Sequence, residues 1–356
     1  MGKGRGVGRN IVLTIGAATV AVLALAALMA GTWQGWSLGR ASGEPVSRSE
    51  RPLPPPPYVR AEAAALFDAT TGRLLVAHNA FRRLPPATLT KVLTALTALQ
   101  IDDPDAAVRI GAQGPFRSGL SHDLFEGERL TLLDLLRLAL YRPGTDAALA
   151  VATHVSGSEE AFARQMNAVA RRVGAEMSHF VDAHGYHAEG NLSTAFDLGL
   201  IALAAMRDER LAAVVGATQT KLTRRGQSRR LFNVNSFIGR RADATGVKTS
   251  YTPDTGYALM GSVERGDARL LVVVLASPSA EERFNDATGL VDYGLAYLEP
   301  LSARPAVPME TYEVREGDTL TGLANRFRVP IAAIKQFNSI GDPNALRSGE
   351  RLLIPR

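Results

Sequence analysis

Residues 88–91, Thr-Leu-Thr-Lys, place a hydroxyl and an amine at a spacing that could support nucleophilic chemistry. Side chains three positions apart share a helix face, so the Thr88 hydroxyl and the Lys91 amine would be neighbours at a helix N-terminus. Backbone N–H groups there favour developing negative charge, and a lysine whose pKa is lowered by burial and a second cation can act as a base. The same residues could instead be a capping threonine and an exposed lysine, and the spacing alone does not separate these interpretations.

The surrounding sequence resembles a known family of cell-wall enzymes. Residues 84–91 are similar to the Pro-Ala-Ser-x-Thr-Lys segment of the serine-type D-alanyl-D-alanine carboxypeptidases, the low-molecular-weight penicillin-binding proteins. Other segments match in the family's order: a turn at 68–72, a Gly-Glu stretch and helix at 125–140, a Phe and His-Gly segment at 180–185, a Ser-Thr-Ala-x-Asp segment at 193–197, and a Gly-x-Lys-Thr strand at 246–257. The resemblance implies a protein that acts on, or binds, peptidoglycan stem peptides.

The resemblance also implies roles for individual residues. The catalytic positions are Thr88, Lys91, Thr145 and Lys248, and the substrate-binding positions are Thr249, Ser250 and Tyr251. Lys248 and Thr249 would bind a substrate carboxylate, and the backbone N–H groups of Thr88 and Tyr251 would form an oxyanion hole. No cofactor is implied.

All three active-site motifs depart from the family's pattern. Thr88 replaces the family's serine, and its methyl group restricts the side chain and crowds the path of attack. The Ser-x-Asn motif is replaced by Pro-Gly-Thr at 143–145, which lacks the relay hydroxyl and the amide. The Lys-Thr-Gly motif ends in Ser250, whose side chain would crowd the strand beside the substrate. A displacement of about 1 Å can cost on the order of 100-fold in rate, so the sequence favours little or no carboxypeptidase activity.

Three hypotheses about function remain open from the sequence. The chain could be a carboxypeptidase or endopeptidase that uses Thr88 as nucleophile, or a non-catalytic member that binds stem peptides or other cell-wall enzymes. A β-lactamase-like hydrolase is the weakest, because the sequence has no Glu-x-x-Leu-Asn segment to position a deacylating water. His184 and His187 have a spacing that could hint at a metal site, but the sequence supplies no third ligand, and a lone histidine is more often structural.

The C-terminal residues 309–356 resemble a LysM module. Residues 312–320 match its Tyr-x-Val-x-x-Gly-Asp-Thr-Leu opening, and residues 346–355 match its Leu-x-x-Gly-x-x-Leu-x-Ile-Pro end. The resemblance implies a small βααβ fold with a groove that binds glycan containing N-acetylglucosamine, and the implied glycan-binding residues are Gly317, Asp318, Thr319, Leu320 and Ile340. The alternative is a spacer with no ligand.

The N-terminal residues predict a location at the membrane. Residues 1–10 form a basic cytoplasmic leader, and residues 11–32 are apolar over about the 20 residues needed to span a bilayer as a helix. The pattern favours an uncleaved, single-pass anchor in the cytoplasmic (inner) membrane, with a cleaved signal as the alternative. The positive charges place the leader inside and the bulk of the chain outside the cytoplasm, in the periplasm or its equivalent. Residues 33–59 are a proline-rich linker.

Composition narrows the remaining function classes. The chain has 356 residues, a formal net charge of +5 and no cysteine, which excludes disulfides, a cysteine nucleophile and thiolate metal sites. The sequence shows no dense run of lysine and arginine of the kind that indicates nucleic-acid binding. The mild positive charge fits either an ordinary surface or attraction to anionic envelope polymers.

The elements that must position these residues follow from periodicity. Strands are predicted at 63–67, 73–78, 256–264 and 269–276, and helices at 88–99, 130–140, 146–154, 158–173, 194–206 and 286–298. Strands at both ends with helices between them predict an α/β (α+β) fold over residues 60–302, in which a sheet built from the two ends carries an inserted helical region.

Overall fold

The computed structural model describes residues 54–111, 121–186, 189–297, 309–338, 340 and 346–355. The predicted leader 1–10, the predicted membrane segment 11–32, most of the linker and His187 lie outside these residues. Among the helices in the described ranges, none is both long and apolar enough to cross a membrane.

The described residues form both strands and helices. The strands are β1 Ala63–Asp68, β2 Leu74–His78, β3 Ala107–Arg109, β4 Arg129–Thr131, β5 Gln219–Arg224, β6 Gln227–Phe232, β7 Ala244–Thr252, β8 Gly256–Arg265, β9 Ala268–Ser277, β10 Met309–Glu313 and β11 Arg351–Pro355. The helices are α1 Thr90–Ile101, α2 Leu132–Tyr141, α3 Asp146–Ser156, α4 Glu159–Arg172, α5 Ala195–Arg207, α6 Glu209–Gly216, α7 Ser236–Arg240, α8 Ala280–Tyr297, α9 Leu320–Phe327 and α10 Ile331–Asn338. A 3-10 turn, Ala87–Leu89, precedes α1.

The central sheet has five antiparallel strands in the order β2-β1-β9-β8-β7, so it joins the two ends of the large domain as predicted. Successive side chains of a strand point to opposite faces. In β9, Leu271 and Val273 belong to one apolar core, and Leu270 and Val272 belong to another. Helix α8 covers the second core, and the other long helices of the domain pack on the first. The mixed fold with an inserted helical region is confirmed.

The predicted boundaries are wrong at two helices that matter for the site. The first long helix begins at Thr90, because residues 87–89 form a 3-10 turn rather than a continuation of the helix. The closing helix begins at Ala280 rather than at residue 286, because its first turn is polar and shows no apolar periodicity, although Glu281 and Glu282 suit a helix N-terminus. The exposed hairpin β5–β6 was not predicted either, since most of its residues on both faces are polar.

The end of the predicted linker packs against the large domain. The Tyr293 hydroxyl donates a hydrogen bond to the Pro54 carbonyl oxygen at 2.8 Å, and the Ala61 N–H donates to Asp286 at 2.9 Å. Val59 is buried in the core beneath α8. Residues 54–59 are therefore part of the folded domain and not a free spacer.

The C-terminal residues form the predicted βααβ unit. Strands β10 and β11 pair antiparallel, and α9 and α10 connect them. Its small core includes Tyr312, Leu320 and Ile354. One residue of α10, Ala333, is buried with the core of the large domain, so the module contacts that domain.

Candidate active site

The 3-10 turn that carries Thr88 packs closely against Gly185. Ala87 adopts a left-handed backbone conformation with φ of 51°, and its carbonyl oxygen accepts a hydrogen bond from the Thr90 hydroxyl at 2.8 Å. Gly185 packs so closely on this turn that an added Cβ would collide with the Ala87 carbonyl and lie 2.5 Å from the Thr90 hydroxyl. A 3-10 turn has about three residues per turn, so Thr88 and Lys91 still face the same side.

One cavity of about 360 Å³ brings the predicted residues together. Its lining includes every predicted catalytic and substrate-binding position: Thr88, Lys91, Thr145, Lys248, Thr249, Ser250 and Tyr251. The lining also contains residues that were not predicted to be in the site: Tyr186, Val234, Tyr257 and Arg283.

Lys91 has the environment of a general base. It is buried in α1, and its ammonium group donates a hydrogen bond to the Gly144 carbonyl oxygen. Burial holds the pKa of Lys91 well below its usual value, and the charge of Lys248 lowers it further, while Asp146 and Asp182 oppose the shift. A neutral amine can accept a proton from a neighbouring hydroxyl, and Thr88 and Lys91 line the same cavity.

The Ser250 hydroxyl contacts the backbone N–H of Thr88, which the resemblance assigns to an oxyanion hole. The Thr88 N–H donates to the Ser250 hydroxyl oxygen at 2.9 Å, and the hydroxyls of Thr88 and Ser250 lie 2.8 Å apart. Acyl transfer needs the backbone donors to face the oxygen of the tetrahedral intermediate. The sequence predicted crowding of the substrate strand at Ser250; in the structure the Ser250 hydroxyl instead accepts the backbone N–H of Thr88.

Among the described residues, no side chain of Pro143-Gly144-Thr145 hydrogen bonds to Lys91. The Thr145 hydroxyl is buried and has no hydrogen-bond partner among the described residues. At Gly144 an added side chain would collide with the ring of His122. His122 is hydrogen bonded to Asp146 through its backbone N–H at 2.8 Å and through its ring. Burial would raise the pKa of Asp146, but the hydrogen bonds and charge of His122 outweigh it and hold that pKa below its ordinary value.

A pair of cations forms the other wall of the cavity. Lys248 is buried and donates to the Leu140 carbonyl oxygen at 3.0 Å, and burial followed by the charge of Arg283 lowers its pKa to about 8. Arg283 donates to the Ser250 carbonyl oxygen at 2.8 Å. Together they can bind a carboxylate. Arg283 was missed because it lies in the first turn of α8; a cation is unfavourable at a helix N-terminus, and that is the only sequence signal that could have marked it.

His184 lies in the turn before Gly185, and it is not isolated from other potential ligands in the way that the sequence suggested. It is buried, and Asp182 accepts hydrogen bonds from the His184 N–H at 2.9 Å and the Gly185 N–H at 2.5 Å. Glu159 lies 3.8 Å from the ring, so two carboxylates surround this histidine that the sequence did not place there. Glu159 also accepts from the Ala183 N–H at 3.1 Å. These contacts order the turn that supports Thr88.

The structure describes the predicted glycan-binding residues at 317–320 and Ile340, but not residues 341–345 beside them. The Asp318 carboxylate accepts hydrogen bonds from the Arg315 N–H at 2.7 Å and from the Tyr312 hydroxyl at 2.8 Å, and these two bonds, in that order of effect, lower the pKa of Asp318. Gly317 has a φ of 87°, Thr319 caps α9 by accepting from the Gly322 N–H, and the Leu320 side chain is buried in the module's core. Ile340 packs on the same core, and residues 341–345 lie outside the described part. The predicted residues therefore shape the loop at 315–320, and the hydrogen bonds to Asp318 stabilise it.

Comparison with known proteins agrees with this geometry. The family description "D-alanyl-D-alanine carboxypeptidase" matches residues 50–279, and "LysM domain" matches residues 312–355. D-alanyl-D-alanine carboxypeptidase DacC of Escherichia coli is 31% identical over 279 residues, which are 74% of this chain and 68% of that protein. DacF of Bacillus subtilis is 29% identical over 67% of this chain and 63% of its own length, so the chain spans about two thirds of these relatives.

Solved structures show the same similarity. A D-alanyl-D-alanine carboxypeptidase from Mycobacterium tuberculosis has a TM-score of 0.64 at 27% identity and covers 69% of this chain and 95% of its own. Penicillin binding protein 6B from Escherichia coli has a TM-score of 0.62 at 28% identity and covers 75% of this chain and 83% of its own. This chain belongs to the D-alanyl-D-alanine carboxypeptidase family and carries a LysM domain.

Proposed function

We propose that the cleft binds peptidoglycan stem peptides ending in D-Ala-D-Ala and turns them over slowly or not at all. The observation that carries this proposal is the Ser250 hydroxyl, which accepts the Thr88 N–H and contacts the Thr88 hydroxyl. In this arrangement the nucleophile and one oxyanion donor are both engaged before any substrate arrives. Removing one such donor from an active site costs on the order of 100- to 1,000-fold in rate.

Peptide binding is supported by the opposite wall of the cleft. Lys248 and Arg283 present two cations, and Thr249 lies beside Lys248 on β7. A free C-terminal carboxylate fits between such groups, because charge-assisted hydrogen bonds are stronger than neutral ones. This wall does not depend on Thr88, so binding can persist where catalysis is lost.

One observation favours an active enzyme as the second candidate. The pKa of Lys91 is lowered by burial and by Lys248, so its amine is available to take a proton from Thr88. In that case the chain is a carboxypeptidase with a threonine nucleophile. The two candidates share a substrate and differ in acylation.

Reaction with a fluorescent penicillin separates the two candidates. A β-lactam mimics the peptide and acylates a competent nucleophile, so the unaltered chain is expected to show only slow and incomplete labelling by intact-mass spectrometry. Escherichia coli DacC, run in parallel, controls for the reagent. Rapid stoichiometric labelling that Thr88→Ala abolishes would establish the active enzyme and overturn the proposal. Binding is measured separately, by calorimetry with an unlabelled D-Ala-D-Ala peptide.

We also propose that the LysM domain binds the glycan strands. Replacing Asp318 by Ala removes the acceptor of the Tyr312 and Arg315 hydrogen bonds, so the loop should loosen and binding should weaken. The full chain is expected to pellet with peptidoglycan from which the stem peptides have been removed, and Asp318→Ala should at least halve the recovered fraction. Glu313→Ala, an exposed change on β10, is the matched control. Equal recovery of all three proteins would contradict glycan binding through this loop.

A further inference from the structure

A second cavity of about 780 Å³ lies beside the cleft. It is bounded by the β5–β6 hairpin on one side and by the end of α2 on the other. Pro143 lines both this groove and the active-site cavity, so the two are adjacent. A ligand that leaves the cleft past Pro143 enters the groove.

The hairpin gives the groove an apolar floor and a cationic rim. Leu222 pairs directly with Arg229, and directly paired residues lie on the same face of a sheet. The Leu222 and Leu231 side chains are buried, whereas Arg229 is exposed. Leu138 of α2 adds a third leucine to the lining. The floor therefore suits an aliphatic chain, and the rim suits an anion.

The groove has more positively than negatively charged side chains in its described lining. Arg224 is neutralised by Glu128 at 2.7 Å. Arg230 also lines the cavity, although by register it lies with Lys221 on the other face of the hairpin. Besides Arg224 and Arg230, the lining contains the cations Arg142, Arg225 and Arg229, and Asp123 is the single carboxylate among the described lining residues.

Two of these cations are held in place, and a buried polar atom lies close by. The Arg225 guanidinium lies 4.4 Å from the centre of the Phe125 ring, and Arg229 donates to the Gln227 side chain at 2.7 Å. His122 also lines the groove, and its Nε2 atom is buried with no hydrogen-bond partner among the described residues. Ordered guanidinium groups lose less freedom when they bind a carboxylate in a bidentate manner.

We propose that this groove binds a carboxylate-bearing side chain of the stem peptide, at a residue that precedes the terminal D-Ala-D-Ala. This inference rests on the proposed function, because it extends the same ligand out of the same cleft. Because Pro143 lines both cavities, a peptide seated in the cleft can extend into the groove. The leucine floor fits the aliphatic part of such a side chain, and the arginines fit its carboxylate. A phosphate polymer would leave the leucine floor unused.

The test compares two synthetic peptides that end in D-Ala-D-Ala. One carries an aliphatic side chain with a free carboxylate before the D-Ala-D-Ala, and the other carries the same side chain as an amide. With the full chain at low salt, the carboxylate peptide is expected to bind about three- to tenfold more tightly by calorimetry, as expected for two partly exposed ion pairs. The difference should shrink as salt rises, because salt screens exposed charges.

The variants locate the effect in the groove. Arg142→Gln combined with Arg229→Gln should abolish the preference for the carboxylate, and Lys221→Gln, on the outer face of the same hairpin, should retain it. All these side chains are exposed, so the fold should survive, which thermal unfolding checks. Equal affinity of the unaltered chain for both peptides would overturn the proposal that the groove binds the carboxylate, and it would leave the proposed function standing. Failure to bind either peptide would overturn both. Loss of the preference in Lys221→Gln, or occupation of the groove by short polyphosphate in preference to the peptide, would also overturn the inference.

Discussion

Replacing Ser250 by glycine is expected to raise the rate of β-lactam acylation on the order of 100-fold, the usual value of one oxyanion-hole donor. The change removes the hydroxyl that accepts the Thr88 N–H at 2.9 Å and frees the Thr88 hydroxyl from its contact at 2.8 Å. Acylation is followed by intact-mass spectrometry over time. Ser250→Thr is the matched control, since it keeps the hydroxyl and should leave the rate low.

The changes at Thr88 and at residues 143–145 should limit the increase in acylation rate that Ser250→Gly produces. Thr88→Ser alone should not restore acylation, because the Thr88 N–H would still donate to Ser250 and the second motif would still lack its hydroxyl and amide. Adding Pro143→Ser and Thr145→Asn to Ser250→Gly and Thr88→Ser should bring the rate closest to that of DacC. If Thr88→Ser alone restores rapid acylation, the role assigned to Ser250 is wrong.

Replacing Gly185 by alanine is expected to lower the free energy of unfolding by more than about 3 kcal/mol, the range of steric and backbone strain at a buried site. Gly185 has a φ of 65°, and an added Cβ would collide with the Ala87 carbonyl, a backbone atom that cannot move without the turn. The measurement is denaturant unfolding of the full chain, followed by circular dichroism.

Gly127→Ala is the control for backbone strain without a collision. Gly127 has a φ of 84° and no heavy atom within 4 Å of the added Cβ. Gly127→Ala should lower the free energy of unfolding by only about 1 kcal/mol, the penalty for a left-handed conformation. If the two substitutions lower the free energy of unfolding equally, Gly185 is required for its φ alone and not for its close contact with the turn at residues 87–89.

Several features of the fold could be predicted because they depend on short stretches of sequence. The uninterrupted apolar run of β9 requires burial on both faces, and the structure places its alternate side chains in two cores. The βααβ order of the C-terminal unit could be predicted because its opening and its end resemble those of a LysM module. The polar hairpin β5–β6 shows no such pattern, so neither the hairpin nor the groove beneath it could be predicted.

For the site, the sequence by itself determined which motif residues would meet, through the resemblance of its ordered motifs to those of a known family. Only the tertiary structure decided how they meet. Thr88 and Ser250 are 162 residues apart, and their contact depends on β7 lying beside the nucleophile turn. Arg283 reaches the cleft because α8 begins earlier than its apolar pattern indicates. Local periodicity determines an element's type and exposed face, whereas the distance between atoms on different elements depends on how the whole core packs.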